Sequence, residues 1–285
     1  MTPQTTLAWS IARPLLEDLT AQPFSGRVLG VFNRACNLID DAGRVIALVL
    51  PEVGNGPFAI SIDASPGMFD ALVPNQSAQA TRQAVMIEPW QILLSNADIW
   101  EPRIDFPGLS LNIDLMAELI KPYSDWPNLK ENTPLARRMA QLARTAANEL
   151  CQTIIQGDSA DSLVAAVTRL AGLGSGLTPA GDDYLLGTMA ALWLTGDKDT
   201  LSLMAKTAIP KTNALSAAFL KSAAKGEFME PWHRLAAAWV AEDRGALVEA
   251  VRWIADFGAS SGEDALAGFS KTLLNLAKKS VPSGK

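Results

Sequence analysis

Cysteine and histidine are almost absent from this 285-residue sequence, which has two cysteines, Cys36 and Cys151, and one histidine, His233. Two isolated cysteines supply neither a disulfide framework nor a metal-ligand spacing. A reducing compartment is therefore expected, with both thiols packed as small apolar groups. A single histidine leaves little room for a Ser-His-Asp triad, and His233, beside Trp232 early in an amphipathic helix, is expected at the surface or partly packed. Charge is also sparse: 19% of residues carry it, against ~25% in ordinary soluble proteins. The 24 basic and 30 acidic residues leave a net charge of −6. A duplex-tracking protein needs clustered cations to replace phosphate counterions, and no such stripe occurs, so nucleic acid is not an expected partner. The longest strongly apolar run, residues 184–194, falls short of the ~20 residues that span a bilayer and reads as a buried helix. No basic segment followed by an apolar run opens the chain. A soluble cytoplasmic protein with no membrane partner is expected.

Apolar residues, by contrast, are plentiful at 48%, enough to bury a sizeable core. The first part of the chain alternates in the manner of strands at 27–33, 37–40, 45–50 and 57–63, each short, rich in Val, Ile, Leu and Phe, and bounded by turn residues. Asp41-Ala42-Gly43 reads as a hairpin turn with Gly43 at positive φ, and Asn55-Gly56-Pro57 punctuates again. A further apolar pair, 84–88 and 91–94, brackets Pro89-Trp90. The polar stretch 125–132 carries Pro127 and suits a linker. The remainder of the chain reads as helical: 134–155 with Thr133 as cap and Gly157 as stop, a helix from Asp158 or Ser159 to the Gly172 loop, then 213–224 with Thr212 as cap and Gly226 just past its end, 231–241, 246–257 and 262–279. The expected fold class is α+β. A β-rich domain at 1–125, barrel-like or sandwich, with two short helices (one near 114–120), precedes an all-helical domain at 126–285.

The segment Gly172 to Gly187, G-L-G-S-G-L-T-P-A-G-D-D-Y-L-L-G, is where chemistry is expected. Gly172, Gly174 and Gly176 let backbone N–H groups approach a ligand. Thr178 stands where an N-cap belongs and Pro179 at the first helical position. A helix N-terminus attracts anions such as phosphate or carboxylate. Asp182 and Asp183 fall in its first turn, about 100° apart around the axis, so they cannot share a face. An acid in a first turn is ordinarily a dipole feature worth ~0.3–1 kcal/mol. That reading does not explain three glycines before the cap, or Gly181 inside the helix at a cost of ~1 kcal/mol.

A second segment echoes the first. Gly258-Ala259-Ser260-Ser261-Gly262 repeats G-x-x-S-G, and Asp264 to Gly268 repeats the D-x-L-x-G of Asp183 to Gly187. Ser260 and Glu263 alone satisfy a capping box. Two Ser-Gly helix starts, each with an acid and a small-residue face, suggest two N-termini converging on one pocket, with Gly187 and Gly268 allowing close helix packing. Thr212 and Ser216 form a weaker candidate, since hydroxyls in a first turn usually cap. The candidate catalytic acids are thus Asp182, Asp183 and Asp264. The candidate substrate-binding residues are Gly174, Ser175, Gly176, Thr178, Thr212, Ser216, Ser260, Ser261 and Gly262. Asp182 and Asp183 could also hold Mg²⁺, which would offset their charge beside an anion.

The sixteen-residue signature resembles that of the bacterial family containing AllH, a subunit of oxamate carbamoyltransferase. Asn55-Gly56-Pro57, the run T-N-A-L-S-A-A-F-L-K-S-A-A-K-G from Thr212 to Gly226, and Ser260 to Gly268 extend the resemblance over most of the chain. It implies a part in allantoin breakdown, converting oxalurate and phosphate to oxamate and carbamoyl phosphate with two partner subunits, FdrA-like and AllG-like. The roles of individual residues rest on the physical reading alone: N–H groups of the loop or of the Ser261-Gly262 start facing a tetrahedral oxyanion, and Asp182 or Asp183 holding the carbamoyl NH₂. Two other readings stand beside it. One is a Mg²⁺-dependent hydrolase or phosphotransfer enzyme using Asp182, Asp183 and Asp264; the other is a non-catalytic metabolite-binding subunit.

Overall fold

The computed structural model describes residues 3–65, 67–105, 112–127 and 133–280. Part of the expected linker, residues 128–132, lies outside them. The chain divides into two compact units, Met1–Arg103 with Glu227–Glu230, and Ile104–Gly226 with Pro231–Lys285.

The first unit is a closed barrel. Strand β1 (Gln4–Ala12) leads into helix α1 (Arg13–Ala21), and β2 (Phe24–Phe32), β3 (Ala35–Asp40) and β4 (Val45–Val49) form a meander. They are followed by β5 (Ala59–Ile62), β6 (Ser77–Ala80), β7 (Ala84–Ile87), β8 (Trp90–Leu93) and β9 (Asp98–Trp100). The strands run in the order β5-β4-β3-β2-β6-β7-β8-β1-β9, and a β5–β1 pairing closes the first eight. Of the two architectures open to the sequence, the barrel is the one formed, because β1 is long enough to pair in three places. Its start runs parallel to β8, with Gln4 opposite Trp90. Its end runs parallel to β9 and antiparallel to β5, with Ile11 opposite both Ile99 and Ile60. Closure leaves no edge between β1 and β5 for another chain to pair with.

The β2–β4 part follows from local chemistry. Gly43 has φ 79° in the turn, and the Asp40 carboxylate accepts from the N–H groups of Ala42 (3.0 Å) and Arg44 (2.8 Å). Leu38, Ile46, Leu48 and Ile60 bury fully in the barrel core. Cys36 is buried there too, and burial pushes its thiol up to about 12. Asn55, in the second turn segment, donates from its backbone and side-chain N–H groups to Glu230 Oε2 (3.1 and 2.9 Å) and accepts from the Ser10 hydroxyl.

The second unit is helical: α2 (Ile113–Ile120), α3 (Pro134–Gln156), α4 (Ala160–Leu170), α5 (Ala180–Thr195), α6 (Lys198–Ala208), α7 (Ala214–Ala223), α8 (Glu230–Val240, whose first residue belongs to the first unit), α9 (Arg244–Ala255) and α10 (Ser261–Ser280). Thr133 caps α3, its hydroxyl accepting from Ala136 N at 3.1 Å, and Gly157 ends it at φ 69°. Ser159 caps α4. Helix α6 has no strong sequence signal, since Asp197 caps a stretch in which polar and apolar residues nearly balance.

Helix α5 is buried along nearly its whole length, as its unbroken apolar run requires. Its closest partner is α10, through a reciprocal contact of small residues. A Cβ on Gly187 would stand 1.7 Å from Ala265 O, and one on Gly268 would stand 1.9 Å from Tyr184 O. Each helix lays a glycine against the other's backbone, so only glycine fits at either place. Among the described residues, no helix is long and apolar enough to cross a membrane.

Candidate functional site

Helix α5 begins one residue later than its sequence suggests. Pro179, not Thr178, is the N-cap, with φ −55° and ψ 138°. Its carbonyl accepts from the N–H groups of Asp182 (2.9 Å) and Asp183 (3.1 Å). Had Thr178 been the cap, its hydroxyl would have taken the Gly181 N–H. The Leu173 carbonyl of the loop takes that donor instead, at 2.8 Å. The Thr178 hydroxyl is left free to meet Ser261 Oγ at 2.8 Å. Gly181 has a packing reason, because a Cβ there would stand 2.0 Å from Leu170 O at the end of α4.

Asp182 is 2% exposed and turns back onto the loop. Its Oδ1 accepts from the Gly172 N–H at 2.8 Å, and its Oδ2 from the Thr212 hydroxyl. Thr212 was the expected cap of α7, yet Asn213 does that work, its Oδ1 accepting from Leu215 N (3.0 Å) and Ser216 N (3.1 Å). Burial pushes the Asp182 carboxyl up, and hydrogen bonds from Thr212, Gly172 and Ser216 oppose this. Asp182 therefore ties three segments together, the loop, the start of α5 and the start of α7. Ser216 also reaches the loop, at 3.5 Å from Leu177 O.

Asp183 points another way, as the 100° between neighbouring helical positions demands. It is 6% exposed. The Ser261 hydroxyl hydrogen-bonds it, but its Oδ2 is buried and meets no protein donor. Burial is the main cause holding the Asp183 carboxyl well above the usual carboxylate range. Ser261 opposes the shift, while the nearby charges of Asp264 and Asp182 add to it. Asp264, 7% exposed in the first turn of α10, accepts from Trp126 Nε1 at 2.6 Å. The three acids thus occupy one buried region where two helix starts meet.

The other candidates divide. Gly174, Ser175 and Gly176 lie exposed in the loop. Among the described residues, no group accepts from their N–H groups. Ser260 is half-buried, and its carbonyl accepts from Asp264 N at 2.9 Å. Gly262 packs against α9, where a Cβ would stand 1.8 Å from Ile254 O. Ser261 is joined by Thr178 rather than by Ser175, its counterpart in the repeated motif. Sequence reasoning missed Trp126. It sits in a stretch read as linker, yet it is 6% exposed and lies 4.6 Å from the Tyr184 ring, centroid to centroid. A tryptophan in an otherwise polar segment was the available signal. His233 is half-buried and outside this arrangement. Among the described residues, no group of three or more His, Cys, Asp or Glu side chains could hold a metal ion.

Two family models match the chain. One, described as oxamate carbamoyltransferase subunit AllH, matches residues 170–273. The other, described as the AllH family N-terminal domain, matches residues 7–99. The first covers the loop, both helix starts and all three acids; the second covers the barrel strands. No solved structure matches the chain.

Proposed function

Given that this chain belongs to the AllH family, we propose that it is the subunit of a carbamoyltransferase that holds a small anionic substrate over the start of α5, in the conversion of oxalurate and phosphate to oxamate and carbamoyl phosphate. The observation that carries this reading is Asp183. A buried carboxyl with one oxygen free of protein donors, and pushed upward by burial and two neighbouring acids, favours its neutral form. A neutral Asp183 does not repel an anion, and it can donate a hydrogen bond. The N–H groups of Gly174, Ser175 and Gly176 supply donors for carboxylate or phosphate oxygens and for the developing oxyanion.

In this reaction a phosphate oxygen bonds to the carbamoyl carbon. The bond from that carbon to the oxamate nitrogen breaks, and the nitrogen takes a proton. Asp183 is the group assigned to give it. Asp182, with both oxygens already engaged by Gly172 and Thr212, positions the loop. The Mg²⁺ reading draws on the same acids, since a cation beside Asp183 and Asp264 would also relieve their repulsion. A proton does so with two carboxylates, whereas a metal needs further ligands.

The test is reconstitution with FdrA-like and AllG-like partner subunits and assay of oxamate formation, with the isolated chain in parallel. Activity of the complex that falls by about 100-fold or more in Asp183→Asn, as for loss of a general acid, supports the assignment. Full activity of Asp183→Asn overturns it. A strict requirement for added Mg²⁺ would favour the metal reading. A complex active without this chain would reduce it to a binding subunit.

A further inference from the structure

A polar cavity whose lining includes no residue of the glycine loop lies in the helical unit. It has a volume of about 130 Å³ and is lined by Asp125, Trp126, Arg144, Asn148, Tyr184 and Lys271 among others. One water needs about 10–15 Å³ of such space, so the cavity admits a larger group. Tyr184 is 2% exposed, and its hydroxyl is buried with no hydrogen-bond partner in the protein. A buried hydroxyl without a partner bears its full desolvation cost, so natural structures seldom leave one unused. Burial also pushes the phenol far up, so it is a donor at any physiological pH.

The charges lining the cavity favour an anion. Arg144 and Lys271 form no ion pair among the described residues. They stand against the single carboxylate of Asp125, an excess of one positive charge. Asn148 adds an amide donor. Trp126 forms a wall, its ring against Tyr184 at 4.6 Å and its Nε1 donating to Asp264 at 2.6 Å. We infer that this cavity is a binding site for a small oxyanion, a carboxylate or inorganic phosphate, held by the Tyr184 hydroxyl and by the charges of Arg144 and Lys271. Through Trp126 its occupancy reaches Asp264. The inference does not depend on the carbamoyl-transfer reading, since none of the groups that hold the anion belongs to the loop or to the acid triad.

Calorimetric titration of the full chain with phosphate, and separately with oxamate, tests it. Arg144→Gln and Lys271→Gln alter partly exposed side chains, and Tyr184→Phe removes only the hydroxyl. Saturable binding of one or both anions is expected. Each of the three variants should weaken it about tenfold or more, as for a charge-assisted hydrogen bond, while Lys206→Gln, which removes an exposed cation of α6 outside the cavity lining, should bind like the unaltered chain. The choice between the two probes identifies the anion's source. Absence of binding by either probe overturns the inference, as does binding that all three variants retain. Binding lost in Asp183→Asn but kept in Arg144→Gln would place the anion at the glycine loop, and it too would overturn the inference.

Discussion

The hydroxyl of Thr178 lies 2.8 Å from that of Ser261, joining positions 83 residues apart in sequence. This contact draws the start of α10 onto the segment that enters α5, and it leaves Ser261 in reach of Asp183. Two short polar side chains therefore hold together the two helix starts on which the three acids sit.

Replacing Ser261 tests that junction. Ser261→Ala removes one hydrogen bond to Thr178 and one to Asp183, the latter already poor in donors. A loss of about 1–3 kcal/mol is expected, because a buried acceptor is left unsatisfied. The Asp183 carboxyl should also move further up, since the Ser261 hydroxyl is the cause that lowers it. Urea unfolding, with carboxyl titration followed by NMR, measures both. Unchanged stability with an unchanged Asp183 titration would show that the hydroxyl plays no part.

Asp183 should make stability depend on pH in a defined direction. Its folded carboxyl is raised above the unfolded one, so the folded state holds the proton more tightly. That contribution is complete below the unfolded carboxylate range, near pH 4. It is lost as pH rises through the folded value. Asp183→Asn cannot ionise, so it should flatten this decline and melt higher than the unaltered chain at neutral and alkaline pH. Melting temperatures across pH 4 to 9 for both proteins check it. Parallel curves would mean that Asp183 is ionised in the folded protein and held by a cation.

Glycine substitutions separate packing from loop conformation. Gly187→Ala places a methyl group 1.7 Å from a backbone oxygen of α10, and neither helix can yield without parting from the other. A loss of about 3 kcal/mol or more is expected, at the upper end of overpacking penalties. Gly176 differs: its φ is +94°, but a Cβ there meets nothing within 4 Å. Gly176→Ala therefore does not crowd the loop, and it should cost only about 1 kcal/mol of backbone strain. Thermal melts of the two variants give the comparison. Equal losses would contradict the close approach of α5 and α10.

Much of the fold was legible because its signals are local. The hairpin at Gly43, the Thr133-Pro134 start and Gly157 stop of α3, and the Ser159 cap of α4 each depend on a few neighbouring residues. Strands β1, β6 and β9 were not legible. Gln4–Ala12 shows little alternation, since it pairs with three different strands along its length. Residues Ser77–Ala80 are small and polar, and they are held by β2 and β7 rather than by their own pattern.

In the site, the sequence alone determined that two segments bring acids into the first turn of a helix, that Gly187 and Gly268 face a close helix contact, and that adjacent acids must diverge. Helical periodicity and the size of a glycine suffice for all of these. Only the tertiary structure decided which partner each side chain takes. Thr178 and Thr212 had the local chemistry of caps, but Leu173 O and Asn213 satisfied those N–H groups first, releasing one hydroxyl to Ser261 and the other to Asp182. Trp126 reached Asp264 from a segment whose composition reads as linker. Hydroxyl, indole and carboxylate groups pair with whatever the packed backbone brings within about 3 Å, and that proximity is set by contacts spread across the helical unit rather than by sequence neighbours.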